Sequence, residues 1–428
     1  MVPRLRRFNL LKDNVLKNKI LIENFTFLSV LQVSNLILFF ITIPYLFRVL
    51  GSRSYGLIVF AQTIVYYLTV FTNFGFNLTA TRDISVNRSD PEKVTEIVSS
   101  VLTIKLFFFL VSTVLMISLT LLIPNLKENR LLYLLSMFAC LSEALFPIWY
   151  FQGIEKMKYI TFINVTTRIL ATILVFVVID QPSQYYIYPL LLGIGTFSGA
   201  LAALFIVFQS HKVHFRLQPL LILRSYLVDN VLYFLSNVST QIYINASKII
   251  VGAFLGMVEV AYYDVADKVI NIAKVPLSLI GQTLFPKVAK DRDIKFLKRI
   301  MIYTVIFTTV IILCIYLFSN PIISFFSGSK NLDSINILRI LSLSLLPISV
   351  SLFYGDLLLI NFGLKIEYTK MRFFGFVLYL TIFLVLYFIG FIGVVQIALM
   401  VVTVETFLTF YSWILCRRSG IISKYRLF

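Results

Sequence analysis

A succession of long apolar stretches, separated by short polar turns, constrains this chain more than any other feature. Twelve stretches can be read, at about 20–47, 57–81, 97–123, 131–151, 160–179, 187–209, 228–256, 261–285, 300–325, 335–361, 369–389 and 391–416. About 20 apolar residues suffice for a helix to cross the hydrocarbon core. In lipid a single segment must satisfy its own backbone hydrogen bonds, which only a helix does. The sequence therefore predicts an all-α polytopic membrane protein of twelve transmembrane helices. Composition agrees: 59% of the residues are hydrophobic and only 14% charged, against about 25% charged in soluble domains.

The basic residues test the segment count. Loops on the side of the N-terminus hold 27 lysines and arginines; the opposite loops hold five. A miscounted helix would scramble that alternation. By the positive-inside rule both termini lie in the cytoplasm. The net charge of +18 is thus a membrane signature and predicts no nucleic-acid partner. The first apolar segment is too long for a signal-peptide core and lacks a small-residue cleavage site, so it reads as an uncleaved helix. No loop exceeds about twenty residues, which leaves no room for a soluble domain. No phosphate loop of the GxxxxGK[ST] type is present, so nothing points to ATP hydrolysis. Cys140, Cys314 and Cys416 lie in or beside apolar segments and read as small hydrophobes. His211 and His214 share one loop without enough ligands for a metal.

The stretch "ALFPIWYFQGIEKMKYI", 144–160, ends segment 4. Pro147 removes the hydrogen bond to the carbonyl of Glu143. Gly153 reads as a helix stop, and Trp149 and Tyr150 as part of an interfacial aromatic belt. Similar spacings recur half a chain apart: Phe27-Leu28-Ser29, Leu50-Gly51 and Tyr55 match Phe234-Leu235-Ser236, Leu255-Gly256 and Tyr262. The repeat predicts two six-helix lobes, 1–215 and 216–428, related along the membrane normal. GxxxG pairs at Gly195/Gly199 and Gly252/Gly256 predict close helix packing.

Ionisable groups inside a bilayer are costly and therefore informative. Lys105, Glu143, Arg168, Lys248, Asp264, Asp267, Lys268, Lys274, Asp356 and Glu405 all fall within segments. In segment 8, Asp264, Asp267, Lys268, Asn271, Lys274, Ser278 and Gln282 share one helical face. Asn237, Gln241, Asn245 and Lys248 do so in segment 7, and Gln62, Tyr66, Thr69, Asn73 and Asn77 in segment 2. Such stripes face each other or a water-filled cavity, or form a self-satisfied seam with Asp264 and Lys268 paired at i, i+4. The stripes of segments 7 and 8 carry three lysines against two aspartates. That excess predicts a cavity for an anion such as phosphate.

Three stretches carry a family likeness: "IPYLFRVLGSRSYGLIVFAQ" with "NFGFNLTATRDIS", then "FPIWYFQGIEKMKYI", and "GMVEVAYYDVADKVI". On these the chain resembles the Wzx-type O-antigen and polysaccharide flippases of the multidrug/oligosaccharidyl-lipid/polysaccharide exporter superfamily. Pro147, Trp149, Gln152, Gly153 and Glu155 belong to the second motif. The resemblance implies a V-shaped, two-lobed, alternating-access transporter in the bacterial inner membrane, not an enzyme. Its substrate would be an undecaprenyl-diphosphate-linked oligosaccharide, moved outward for O-antigen, capsule or exopolysaccharide synthesis. Lys248, Lys268 and Lys274, with Arg48 and Arg168, would neutralise the diphosphate. Asn73, Asn77, Asn245 and Asn271 would line the glycan cavity, and Tyr66, Tyr67, Tyr243 and Tyr263 would stack on sugars. A proton or sodium gradient would drive transport through Asp264, Asp267, Glu143, Asp356 or Glu405, with no bound cofactor. Membrane lipids, a polysaccharide polymerase and a chain-length regulator are the implied partners.

Two rivals are open at this point. A multidrug antiporter of the same fold would favour acids over lysines in its cavity. A polysaccharide polymerase or ligase would carry a large periplasmic loop with arginine or histidine, whereas these loops hold five basic residues and no histidine.

Overall fold

The structure, a computed structural model, describes residues 2–291, 293–328 and 331–421, with side chains from residue 23 onward except at a few positions between 232 and 291. The side chains of Asn237 and Tyr243 are among those exceptions and lie outside the described residues.

Among the described residues fifteen α-helices follow one another: α1 (Val2–Asn73), α2 (Phe76–Asn87), α3 (Pro91–Leu122), α4 (Pro124–Lys127), α5 (Arg130–Leu145), α6 (Ile148–Gly153), α7 (Met157–Val178), α8 (Ile187–Phe205), α9 (Leu220–Phe254), α10 (Met257–Asp291), α11 (Ile294–Ser327), α12 (Leu332–Leu343), α13 (Leu345–Ser351), α14 (Lys365–Ile389) and α15 (Val394–Arg418). π-Helical turns extend α8 over Ile206–Ser210 and follow α13 over Leu352–Leu359. No strand occurs among the described residues.

Among the described residues nine helical stretches are long and apolar enough to cross a membrane. The first, Glu23–Asn87, contains both of the first two apolar segments of the sequence. The seventh and eighth segments correspond to α9 and α10, 35 residues each. These helices have the length to span, about 50 Å, but carry the polar stripes. Exposed apolar side chains follow helical spacing, as Ile302, Ile306, Val310, Leu313 and Leu317 do on α11. Such a stripe faces hydrocarbon rather than water.

The chain divides into two compact units. Unit 1 takes the residues up to Tyr45 and Ile64–Asn237; unit 2 takes Leu46–Thr63 and the described residues from Val238 onward. The excursion of Leu46–Thr63 into unit 2 depends on glycines. Gly51 adopts φ 76°, ψ 165°, a region open essentially to glycine alone. A Cβ on Gly56 would stand 1.7 Å from the carbonyl oxygen of Met257 at the start of α10. The two glycines of "LGSRSYG" thus bend α1 and let it touch α10.

In unit 1, α2 packs on α6, α3 on α5, and α8 on both α5 and α7. The GxxxG pair of α8 packs closely, as the sequence predicts: Gly195 faces Ala171 and Thr167 of α7, and Gly199 faces Ile163 and Thr167. In unit 2, α10 and α15 both pack against α12, and α14 lies against α15. Gly252 seats the ring of Phe60.

The 144–160 stretch departs from two expectations. Trp149 is fully buried in the core of unit 1 and Tyr150 nearly so; the rings pack against protein and do not face lipid headgroups. Gly153 is not the helix stop. It is helical, and a Cβ there would meet Ile84 at 2.6 Å and the Thr81 carbonyl at 3.0 Å, so it exists for the approach of α2. The stop is a Schellman motif centred on Glu155. Glu155 is left-handed at φ 59°, its N–H donates to Gln152 O at 3.0 Å, and the N–H of Lys156 donates to Phe151 O at 2.9 Å. Two motif residues thereby acquire a physical role: Gln152 accepts from Thr81 Oγ1 at 3.2 Å, and Glu155 pairs with Arg88 at 3.4 Å.

Candidate functional site

The polar stripe of α10 meets α9 and the α1 excursion within unit 2. Asp264, 1% exposed, gathers three donors: Lys248 Nζ at 2.8 Å, Lys268 Nζ at 2.8 Å and the Tyr55 hydroxyl at 2.7 Å. Lys248 also reaches Asp267 at 3.0 Å, and Lys268 donates to the Tyr55 oxygen at 2.9 Å. Each contact is charge-assisted or relayed through one hydroxyl, which is what keeps a buried carboxylate tolerable. Tyr55 lies outside both stripes, so the sequence shows no reason to link it to Asp264. The signal that existed was its place in the repeat and in the first motif.

The track continues along α10. Asn271 donates to Asp267 at 3.2 Å and faces Lys274 at 3.5 Å. Lys274, Asn271, Asp267 and Tyr263 then border a cavity of about 40 Å³ with Tyr379 of α14 and Glu405 of α15. That volume holds water molecules and nothing larger. Glu405 lies in the field of both Lys274 and Arg372. Beyond it, Asp356, on the π-helical turn, accepts from Tyr368 at 2.8 Å and Arg372 at 3.2 Å. π-Helical turns often mark functional positions.

This arrangement narrows the expected cationic excess to Lys274. The polar stripes of α9 and α10 hold three lysines and two aspartates; Lys248 and Lys268 pair with Asp264 and Asp267, and Glu405 shares the small cavity with Lys274. The seam is charge-balanced. At Lys248 and Lys268 an anion competes with a carboxylate, whereas Lys274 has no carboxylate within 4 Å among the described residues.

Unit 1 holds a second buried cluster. Lys105 is fully buried and donates to the backbone carbonyl of Glu143 at 2.7 Å. That carbonyl is free because Pro147 has no N–H to give it; the proline break creates the lysine's acceptor. The Glu143 carboxylate accepts from Asn73 Nδ2 at 3.3 Å and supplies the opposite charge for Lys105. Asn73 Oδ1 and Asn77 Oδ1 are buried with no partner among the described residues, so each retains an open acceptor.

The remaining candidates lie elsewhere. Arg48 donates to the Phe325 carbonyl at 3.1 Å, at the C-terminal end of α11, where a cation opposes the helix dipole. Arg168 belongs to unit 1 and donates to Asn35. Asn245 is half-buried on α9. Tyr263 is buried, while Tyr66 is exposed and packs edgewise on Tyr67. His211 sits between the Tyr150 hydroxyl at 3.1 Å and Lys156 Nζ at 3.3 Å. The ammonium has only protons to offer, so Nε2 accepts and Nδ1–H donates to Tyr150. Burial first, and Lys156 second, hold this imidazole below its usual pKa.

Known proteins place this architecture. Two solved structures share the fold: the lipid II flippase MurJ in an inward closed conformation, with TM-score 0.72, 16% identity and coverage of 92% of this chain and 87% of that one, and an inward-facing multidrug resistance MATE family transporter of the MOP superfamily, with TM-score 0.64, 15% identity and coverage of 92% and 99%. A curated protein of Escherichia coli (strain K12), named for O-antigen transport, is 26% identical over 355 residues, 82% of this chain and 86% of its own. A Shigella dysenteriae protein of the same name is 27% identical over 288 residues, 66% of this chain and 71% of its own. The names are those of transporters, not enzymes. The model of the family described as polysaccharide biosynthesis protein matches residues 21–291, more than half of the chain. The chain is a multi-pass membrane protein and belongs to the polysaccharide biosynthesis protein family.

Proposed function

We propose that the protein is a flippase that carries an undecaprenyl-diphosphate-linked oligosaccharide from the cytoplasmic to the outer leaflet of the bacterial plasma membrane, driven by an ion gradient. The family match and the two relatives named for O-antigen transport support the substrate class. The observation that carries the mechanism is the buried, charge-balanced seam in which Asp264 holds Lys248 and Lys268 at 2.8 Å.

A balanced seam gives coupling a physical form. The diphosphate is a multiply charged anion and needs lysines. Lys248 and Lys268 are engaged by aspartates. A proton or sodium ion that neutralises Asp264 or Asp267 releases a lysine for the diphosphate, so cation binding and anion binding assist each other through one set of contacts. Lys274 and Glu405 border the small cavity at the end of this track. Outward movement of net negative charge also gains from an inside-negative potential, about 2.3 kcal/mol per charge per 100 mV.

Deleting the gene in its host and probing outward-facing glycan with a membrane-impermeant lectin tests the assignment. Complete lipid-linked units should accumulate on the cytoplasmic face and return outside when the gene is restored. Units that reach the outer face unpolymerised in the deletion strain would overturn the flippase reading and favour a polymerase.

A further inference from the structure

The motif "NFGFNLTATRDIS" runs into α2, yet only its first residues touch the buried cluster of unit 1. Its second half borders a separate cavity of about 280 Å³ between the C-terminal half of α2, the N-terminal turns of α3 and the first half of α9. All the bordering residues, 79–97 and 225–230, belong to unit 1. The basic-residue bias assigns this end of the helices to the cytoplasm.

The cavity walls are fixed by bonds between helices. Thr79 of α2 donates to the buried Asn230 of α9, and Tyr226 of α9 donates to Glu96 of α3 at 3.1 Å. Below them Phe74 stacks on Phe234 at 4.5 Å, and Gly75, at φ 81°, lets the chain come within van der Waals contact of the Tyr233 and Phe234 backbone. A ligand would meet a wall already in place, which lowers the ordering cost of binding.

The chemistry of the lining selects among ligands. Ile97 is the one apolar side chain on the wall among the described residues, so a drug-like apolar cation finds little to bury against. Two bases are matched to acids: Arg82 to Asp83 at 2.8 Å and Lys93 to Glu96 at 2.7 Å. Asp229 is then an acid over, and no hydrogen bond to its carboxylate occurs among the described residues. The surplus negative charge repels a phosphate. No three acids come close enough to hold a metal ion among the described residues. What suits the site is a neutral or amino-bearing ligand with closely spaced hydroxyls, each both donor and acceptor. Carboxylates, the Asn87 amide and the Tyr226 hydroxyl complement such groups.

We propose that this cavity, bordered by Asp83, Asn87, Glu96, Tyr226 and Asp229, binds a sugar residue of the lipid-linked substrate, a reading that rests on the flippase assignment above. The site recognises the glycan and is separate from the lysines assigned to the diphosphate.

The test uses the full chain in nanodiscs and two ligands: lipid-linked saccharide extracted from the host, and undecaprenyl diphosphate without sugars. Asp229→Ala and Asn87→Ala, at exposed and half-buried positions, should keep the wild-type melting temperature. Both should weaken saccharide-lipid binding, Asp229→Ala by about tenfold as one lost charge-assisted hydrogen bond and Asn87→Ala by about fivefold as one lost neutral hydrogen bond, and leave binding of the sugar-free lipid unchanged. Lys248→Gln should weaken both ligands. Variants that bind the saccharide-lipid as wild type does would overturn the sugar site, as would a wild type that binds the two lipids equally; either leaves the flippase assignment standing. A wild type that binds neither lipid would remove that assignment and the sugar site together.

Discussion

Replacing Lys248 by Met should expose how the seam of unit 2 is held. Lys248 is the shared partner of two acids, at 2.8 Å to Asp264 and 3.0 Å to Asp267. Without it Asp264 still has Lys268 and Tyr55, but Asp267 is left with only the Asn271 amide at 3.2 Å. Removing one member of a buried pair costs about 3–5 kcal/mol, mostly through the charge left behind. The Asp267 side chain is 20% exposed, so water relieves part of this and about 3 kcal/mol is expected. At about 2–4 °C per kcal/mol for a unit of this size, the melting temperature should fall by roughly 6–12 °C. Adding Asp267→Asn removes the uncompensated charge, and the double variant should recover most of that loss while remaining unable to transport, because the lysine is still absent. Fluorescence-detected melting in detergent reads the first effect, and glycan export in the host reads the second. A single variant that melts with wild type, or a double variant no more stable than the single, would refute a charge-balanced seam.

Lys105→Met should lower stability by about 3 kcal/mol or more, read as a melting-temperature drop, because it leaves both the Glu143 carbonyl and its carboxylate uncompensated in the core. Glu155→Gly should raise stability by about 1 kcal/mol by relieving a left-handed non-glycine residue, whereas Gly153→Ala should cost about 1–3 kcal/mol by forcing α6 from α2; the pair have opposite signs in the same melt. His211 has its pKa lowered in the fold, so the unfolded chain takes up the proton first. Its contribution is complete above the ordinary imidazole pKa near 6.5 and is lost as pH falls through and below that value; His211→Gln should flatten the melting temperature between about pH 7 and pH 5 relative to wild type.

Much of the architecture was legible because lipid imposes simple rules. Segment length, loop charge and the absence of large loops together specify an all-α membrane bundle. The GxxxG packing of α8 was legible too, since small residues at i, i+4 have few other uses. Helical phase also placed Lys248, Asp264, Asp267 and Lys268 on facing stripes, and they do meet. What failed was anything that needs contact between distant segments. Glu405 comes to the cavity of Lys274 from more than 130 positions away, and Tyr55 reaches Asp264 from another helix; periodicity within one helix carries no information about either. The burial of Trp149 was not legible because a tryptophan near a helix end reads as lipid-facing unless the neighbouring helix is known. Gly153 was read as a stop because glycine serves both helix ends and close contacts, and only the position of Ile84 decides between them.

Reconstituted transport tests the central claim most directly. The purified protein would be placed in liposomes carrying host lipid-linked saccharide in the inner leaflet, with a proton or sodium gradient and a potential applied, and glycan arriving in the outer leaflet would be followed by an impermeant lectin. Gradient-dependent appearance of glycan outside, abolished by Lys248→Gln, is the predicted result. Equal rates in protein-free liposomes, or a rate indifferent to both the gradient and that lysine, would contradict the account.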